Sequence, residues 1–279
     1  MGTPNIHLKS RAVSFSLLIA SFALSAVACE PKPTTLSPLS PADSAALIGR
    51  FLARPVARTG TVPTGLSVQA IAEGSRPFGL YVPTTYDTTR VWPVTFLLHG
   101  YGVSGEEMAV DFQTYAESAG VVVIAPNSYS NTWDLFQYGF GTDVAHINNV
   151  LTWAFQHIAV DLTRLSISGF SDGGTYSLWL GLKNGDLFTR IAAMSPCTAN
   201  VPSIRYGNPT VFISHGTDDT VAPIDQCSRV TVPVLQADGY SVEFVEYPSP
   251  CPGPDPCNAH FVPPEVLTHV MTYLSQPGG

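Results

Sequence analysis

Between residue 65 and the C-terminus, short apolar runs alternate with longer stretches in which apolar positions recur at helical spacing. The runs are "LSVQAI", "FGLYVP", "VTFLLHG", "VVVIAP", "LSIS", "IAAMS", "TVFISHG" and "VEFVEY", and their lengths and aliphatic content suit strands. The amphipathic stretches predict helices over Glu106–Ser118, Asp143–His157, Asp172–Leu182, Ile224–Ala237 and Pro264–Leu274. Strand and helix in alternation is the order of a mostly parallel sheet covered by helices on both faces. The first two runs mix polar and apolar residues, as an antiparallel edge would, whereas the later ones are apolar throughout, as buried parallel strands should be. The expectation is an α/β fold with a central sheet of about eight strands. No internal repeat, heptad run or second membrane-spanning pattern interrupts it, and 279 residues suit one large domain.

The pattern changes before residue 64. Lys9 and Arg11 precede the uncharged run "AVSFSLLIASFALSAVA", which ends in small residues at Ala26 and Ala28. Charge, apolar core and small residues in that order predict an export signal over residues 1–28. The run is short for a bilayer and contains four serines, which argues against a spanning anchor. Cys29 follows at once, and "SAVAC" resembles a bacterial lipobox, in which the cysteine is lipidated and becomes the mature N-terminus. The same residues satisfy an Ala-x-Ala cleavage site that would release a soluble chain. A cell-envelope lipoprotein, in the periplasm or at the surface, is preferred over a secreted form, with the lipid on Cys29 as its one membrane link. Residues 29–63, rich in Pro, Thr, Ser and Ala, predict an extended tether, with a short helix or surface turn in "AALIGRFLARP". Residues 64–279 remain as the globular domain.

Cysteine and charge counts refine this picture. Five cysteines is an odd number for an exported chain; setting Cys29 aside leaves Cys197, Cys227, Cys251 and Cys257. Of the three possible pairings, Cys251 with Cys257 and Cys197 with Cys227 are preferred. A zinc site is rejected because no second cysteine pair stands at knuckle spacing. Without the leader the chain has 11 basic and 21 acidic residues, so nucleic acid is not an expected partner. A monomer is expected.

Candidate chemistry begins at "LSISGFSDGGTYSL". Ser171 follows a predicted strand and precedes a predicted helix, flanked by Gly169 and Gly173, so the short pattern GxSxG stands in the strand, turn, helix context of an exposed nucleophile. A serine hydroxyl is a weak nucleophile at neutral pH and needs a base and an orienting acid. "FISHGTDDTVAP" supplies the acid at the end of a strand; of Asp218 and Asp219, one is expected to cap the turn, and Asp219 is assigned to the relay. His260, between the last predicted strand and the last helix, is the base. His99 and His215 each close a strand before Gly and are expected to brace loops, while His146, His157 and His269 fall on helices. Two backbone amides should stabilise a developing oxyanion, one from Asp172 and one from Tyr101 in "LLHGYGVSG". This chemistry requires no cofactor and no metal.

These stretches carry a resemblance. From about Arg76 to Leu274 the chain resembles the α/β-hydrolase superfamily, and within it the phospholipase/carboxylesterase and polyhydroxybutyrate-depolymerase-like esterases, through "LLHGYGVSGEE", "GFSDGG", "HGTDDTVAP" and the late His260. The resemblance implies Ser171 as nucleophile, Asp219 as acid, His260 as base, and the Tyr101 and Asp172 amides as the oxyanion hole. It implies a serine carboxylic-ester hydrolase working through an acyl-enzyme. A serine peptidase and a non-catalytic surface-binding lipoprotein are the alternatives.

In that fold a cap is usually inserted after the sixth strand; "PCTANVPSIRYGN" is too short for a helical lid, so an open cleft without a large cap domain is expected. The loop "YSNTWDLFQYGF" carries Tyr129, Trp133, Phe136, Tyr138 and Phe140 near the site, and Trp133 is assigned to the pocket wall. Tyr101 and Phe261 are further substrate contacts. Such a site suits short-chain, aryl or accessible polymeric esters. The Asp172 carboxylate should disfavour anionic ones.

Overall fold

The computed structural model describes residues 47–136, 139–198, 200–249 and 259–278. The export signal, Cys29, Tyr138, Cys251 and Cys257 lie outside the described residues. Eight strands form one sheet: β1 Gly65–Gln69, β2 Phe78–Val82, β3 Trp92–Leu98, β4 Val122–Pro126, β5 Val160–Phe170, β6 Arg190–Met194, β7 Thr210–Gly216 and β8 Val242–Tyr247. Their order is β1-β2-β4-β3-β5-β6-β7-β8. β1 and β2 pair antiparallel, β2 meets β4 antiparallel, and all later neighbours are parallel. Each predicted strand is present. β1 alternates between half-buried and exposed residues as an edge strand should, whereas β2 is buried throughout because it lies between β1 and β4.

Five helices cover the sheet among the described residues: α1 Gly105–Ala119, α2 Thr142–His157, α3 Asp172–Lys183, α4 Ser228–Ala237 and α5 Pro264–Ser275. α1 begins with a capping box between Ser104 and Glu107 and stops at Gly120, whose φ of 66° suits a residue without a Cβ. α4 starts four residues later than the apolar spacing suggests, because Ile224 to Cys227 form turns. The apolar residues sort into two cores, one on each face of the sheet. On one face Ile147, Leu151, Tyr176, Leu180 and Leu235 of α2, α3 and α4 pack on Phe96, Ile167 and Ile213. On the other, Met108, Phe112, Val266 and Met271 of α1 and α5 pack on Leu97, Ala192 and Phe212.

The last part of the segment expected to be a tether is packed. Phe51 and Ala53 are buried, the Phe51 amide donates to Asn184 Oδ1 at 2.8 Å, and the Leu52 and Ala53 amides donate to Asn148 Oδ1 at 2.7 and 2.8 Å. Arg50 forms a two-toothed ion pair with Asp186, and the Thr59 and Gly60 amides donate to the Gln156 carbonyl. Composition identified the Pro and Ser content but not these asparagines, more than 90 residues away in sequence.

Parallel strands bring their carboxyl ends to one edge. In register, Leu98 pairs with Gly169, Phe170 with Met194 and Gly216 with Tyr247. The loops after β3, β5, β7 and β8 therefore open side by side, where ligand sites in open α/β sheets form.

Candidate active site

Ser171 sits between β5 and α3 with φ 55° and ψ −121°, a conformation that L-residues rarely adopt. The turn is enforced by close packing. A Cβ on Gly169 would stand 2.3 Å from the Gly173 carbonyl oxygen, and one on Gly173 would stand 2.1 Å from that of Leu98. A Cβ on Gly174 would reach within 2.6 Å of the Met194 carbonyl oxygen, so this glycine sets the approach of α3 to the sheet. The Ser171 amide donates to Met194 O at 2.9 Å and its carbonyl accepts the first turn of α3 from Thr175.

The three residues expected to form a relay come together from loops 41 and 89 residues apart in sequence. Ser171 Oγ lies 2.8 Å from His260 Nε2, and His260 Nδ1 lies 2.6 Å from Asp219 Oδ2. With Nδ1 donating to the carboxylate, Nε2 is the acceptor for the serine hydroxyl proton. Asp219 is buried, and its other oxygen accepts the Val221 and Ala222 amides, each at 2.9 Å. Burial alone would raise this carboxyl, but the His260 hydrogen bond and the two amides together hold it below the usual carboxylate range. Asp218 is exposed and points elsewhere: its Oδ2 accepts the Ser249 amide at 3.0 Å, tying the acid turn to the segment after β8.

Both bracing histidines do what their position before glycine predicts. His215 Nε2 donates to the Ala222 carbonyl at 2.7 Å while Nδ1 meets Ser228 Oγ at 2.6 Å, which clamps the Asp219 turn to the start of α4. His99 Nδ1 donates to Gly100 O at 2.7 Å and Nε2 accepts the Ser128 amide at 3.0 Å. Burial pushes the pKa of both rings down, which keeps them neutral and fixes those tautomers. His269 is exposed and pairs with Glu243, and His146 and His157 lie on α2 as expected.

The segment "HGYG" runs beside the serine, since a Cβ on Gly100 would touch Ser171 Cβ at 3.4 Å. The Gly102 amide donates to Asn131 O, and the Tyr101 side chain is exposed. Neither the Tyr101 nor the Asp172 amide has an acceptor among the described residues. The Asp172 carboxylate receives the Thr132 hydroxyl at 2.5 Å, which turns it toward that loop.

Trp133 corrects one expectation. It is fully buried, its ring stacks on Tyr176 (5.1 Å) and meets the His99 ring at a 35° tilt (4.7 Å), and its N–H donates to the His99 carbonyl at 2.9 Å. It braces the loop after β3 from beneath and walls no open pocket. Phe140 also stacks on Tyr176, whereas Tyr129 and Phe136 are exposed.

Phe261, by contrast, lines a cavity of about 400 Å3 that includes His260. Its carbonyl accepts the Tyr247 hydroxyl at 2.8 Å, which anchors the His260 loop to the end of β8. Sequence reading missed this anchor and the role of Thr132; the one signal for either was a polar side chain at the carboxyl edge. Cys197 and Cys227 form a disulfide, as preferred, and the Cys197 amide donates to Thr175 Oγ1 in α3. Between β6 and β7 the described residues contain no helix.

Residues 69–231 match the model of the family described as "Putative esterase". The chain belongs to this esterase family. The chain is 27% identical over 172 residues to feruloyl esterase B of Thermothelomyces thermophilus, a match that covers 55% of this chain and 58% of that protein. It spans little more than half the length of that curated relative. Its fold is that of the α/β-hydrolases. Among solved structures it resembles the S-formylglutathione hydrolase FrmB of Staphylococcus aureus (TM-score 0.59, 16% identity, 76% of this chain and 100% of that one). It also resembles the fluorophosphonate-binding serine hydrolase FphF of the same organism (TM-score 0.57, 17% identity, 77% and 100%). A ferulic acid esterase of Anaeromyces mucronatus, solved with ferulic acid, superposes with TM-score 0.53 at 16% identity over 79% of this chain and 94% of that one.

Proposed function

We propose that this esterase cleaves carboxylic esters through an acyl-enzyme on Ser171, with His260 as the general base and acid and Asp219 as the residue that orients it. The observation that carries the reading is the continuous hydrogen-bonded line from Ser171 Oγ through the imidazole to the buried Asp219 carboxylate. His260 Nε2 takes the hydroxyl proton as Oγ attacks the acyl carbon, and the Asp219 carboxylate stabilises the imidazolium. The Tyr101 and Asp172 amides, which have no acceptor among the described residues, receive the oxyanion. His260 then protonates the leaving alkoxide, and a water molecule reverses the sequence to release the acid.

Short-chain, aryl and accessible polymeric esters are the substrate class; the Thermothelomyces relative, named for feruloyl esters, extends the aromatic option to the acyl side. Export, with a lipid anchor at Cys29, belongs to the same proposal and is tested by the mass of the mature N-terminus.

Purified protein should hydrolyse short p-nitrophenyl esters, and Ser171→Ala should lower turnover by about 10⁴-fold or more. Turnover that persists in that variant, or folded protein that a fluorophosphonate does not label, overturns the reading.

A further inference from the structure

We propose that the cavity beside His260 is the subsite for the alcohol portion of the ester and that it takes an apolar, ring-sized alcohol. The inference rests on the ester-hydrolase reading above. Its starting point is the direction of proton transfer. When the tetrahedral species collapses, the bond from the acyl carbon to the alkoxy oxygen breaks. That oxygen receives the proton that His260 Nε2 took from Ser171, and the acyl group stays on Oγ. The alkoxy oxygen must therefore lie within hydrogen-bond reach of Nε2, and its substituent must extend along the imidazole side of Ser171. The cavity of about 400 Å3 has His260, and not Ser171, in its lining, which puts it beyond the imidazole as seen from the serine.

The walls define the occupant. α1 contributes Met108, Phe112 and Tyr115, and α5 contributes Pro264 and Leu267. Phe170 and Phe261, the neighbours in sequence of the nucleophile and the base, complete the part nearest the chemistry. The Phe170 ring stands 4.8 Å from the imidazole at a 33° tilt, so an aromatic surface continues from His260 into the cavity. The volume is within the range of small-ligand pockets, and the lining is apolar with aromatic faces, which favours a ring over a flexible polar chain. Asp111 is the one carboxylate in the lining; it is exposed and has no ion pair among the described residues. Its charge disfavours alcohols that carry an anion.

The test holds the acyl group constant as acetyl and varies the alcohol among methyl, benzyl and 4-carboxybenzyl. The wild type should prefer benzyl over methyl acetate in kcat/KM. Leu267→Trp, a change at a half-buried position on α5, should narrow the cavity and lower that preference about tenfold. Leu267→Ala should shift the preference toward naphthylmethyl acetate, and it serves as the second variant if the tryptophan prevents folding. Asp111→Asn should raise the rate on 4-carboxybenzyl acetate relative to benzyl acetate by about threefold.

If Leu267→Trp leaves the benzyl to methyl ratio unchanged, or penalises methyl hexanoate more than benzyl acetate, the cavity is not the alcohol subsite and the inference fails. If the wild type hydrolyses none of the acetates and no p-nitrophenyl ester, the ester-hydrolase reading itself falls.

Discussion

The segments at the ends of β3 and β7 are built on the same device and differ in where their neighbouring carboxylates point. Each begins with a buried neutral histidine before a glycine, and each uses both ring nitrogens of that histidine to fix a turn. On the β7 side the acid of the turn, Asp219, is aimed at His260. The β3 side is supported through Trp133 by the loop after β4, whose acids are engaged within that loop and at the start of α2. Asp143, fully buried, pairs with Arg76 and accepts the Tyr129 and Asp134 amides at 2.8 Å each. Asp134 accepts the Gly141 and Asp143 amides and the Tyr176 hydroxyl. Burial raises the Asp143 carboxyl in spite of Arg76, and burial with the neighbouring Asp134 raises the Tyr176 hydroxyl far above its ordinary value. The comparison teaches that carboxylates do two kinds of work here. One is aimed at the His260 imidazole, and the others hold the loop after β4 in shape.

The largest expected effect breaks the β7 side. Asp219→Asn should lower kcat by about 10⁴-fold because the amide cannot hold His260 in the required tautomer. Asp218→Asn, one residue away, should change kcat less than about threefold, since its partners are Thr217 and Ser249. Equal losses in the two variants would erase the distinction drawn between them.

Next is the β3 side, where stability should suffer more. Arg76→Met leaves Asp143 buried without its cation and should cost about 3 kcal/mol in urea unfolding. Arg229→Met, which removes an exposed, solvent-screened pair with Glu246 on the β7 side, should leave the urea midpoint nearly unchanged.

A pH experiment sharpens the same contrast. Burial lowers His146 on α2 to about 4, and its Nε2 has no hydrogen-bond partner among the described residues. In the unfolded chain that ring takes a proton near pH 6.5, whereas in the native state it stays neutral until about pH 4. Between these values the unfolded state holds the extra proton, so stability is full above pH 6.5 and declines as the pH falls toward 4. Denaturation midpoints measured across this window should fall with pH, and His146→Leu should flatten the slope.

The smallest effect concerns Asp172. Because Thr132 already engages its carboxylate, Asp172→Asn should alter the ratio of anionic to neutral ester turnover by only about two- to threefold. A change of tenfold or more would show that the carboxylate faces the substrate.

Much of this arrangement was legible in the chain. Apolar runs located the central strands because parallel strands buried on both faces must be apolar, alternation marked the β1 edge, and the glycines around Ser171 marked a turn that admits no Cβ. His260 and Asp219 could be expected near Ser171 because the fold delivers strand ends to one edge, and their hydrogen bonds join the three. Trp133 was misplaced because an aromatic in a loop near the edge reads alike whether it walls a pocket or supports one from below; only its stacking on Tyr176 decides. The Arg76, Asp143, Asp134 and Tyr176 cluster was invisible, since its members are spread over 100 residues and belong to no motif. The cavity beside His260 was seen only at Phe261, because its walls come from α1 and α5 at opposite ends of the domain.

The bond between Cys197 and Cys227 closes a loop across a sequence separation of 30 and should stabilise the chain by about 3.5 kcal/mol if the effect is that of loop closure alone. Its two ends also reach the working parts. The Cys197 amide donates to Thr175 in the first turn of α3, and Cys227 immediately precedes Ser228, the partner of His215. The bond thus ties the start of the helix that follows Ser171 to the brace of the Asp219 turn, so these two segments cannot part company while the sulfurs stay joined.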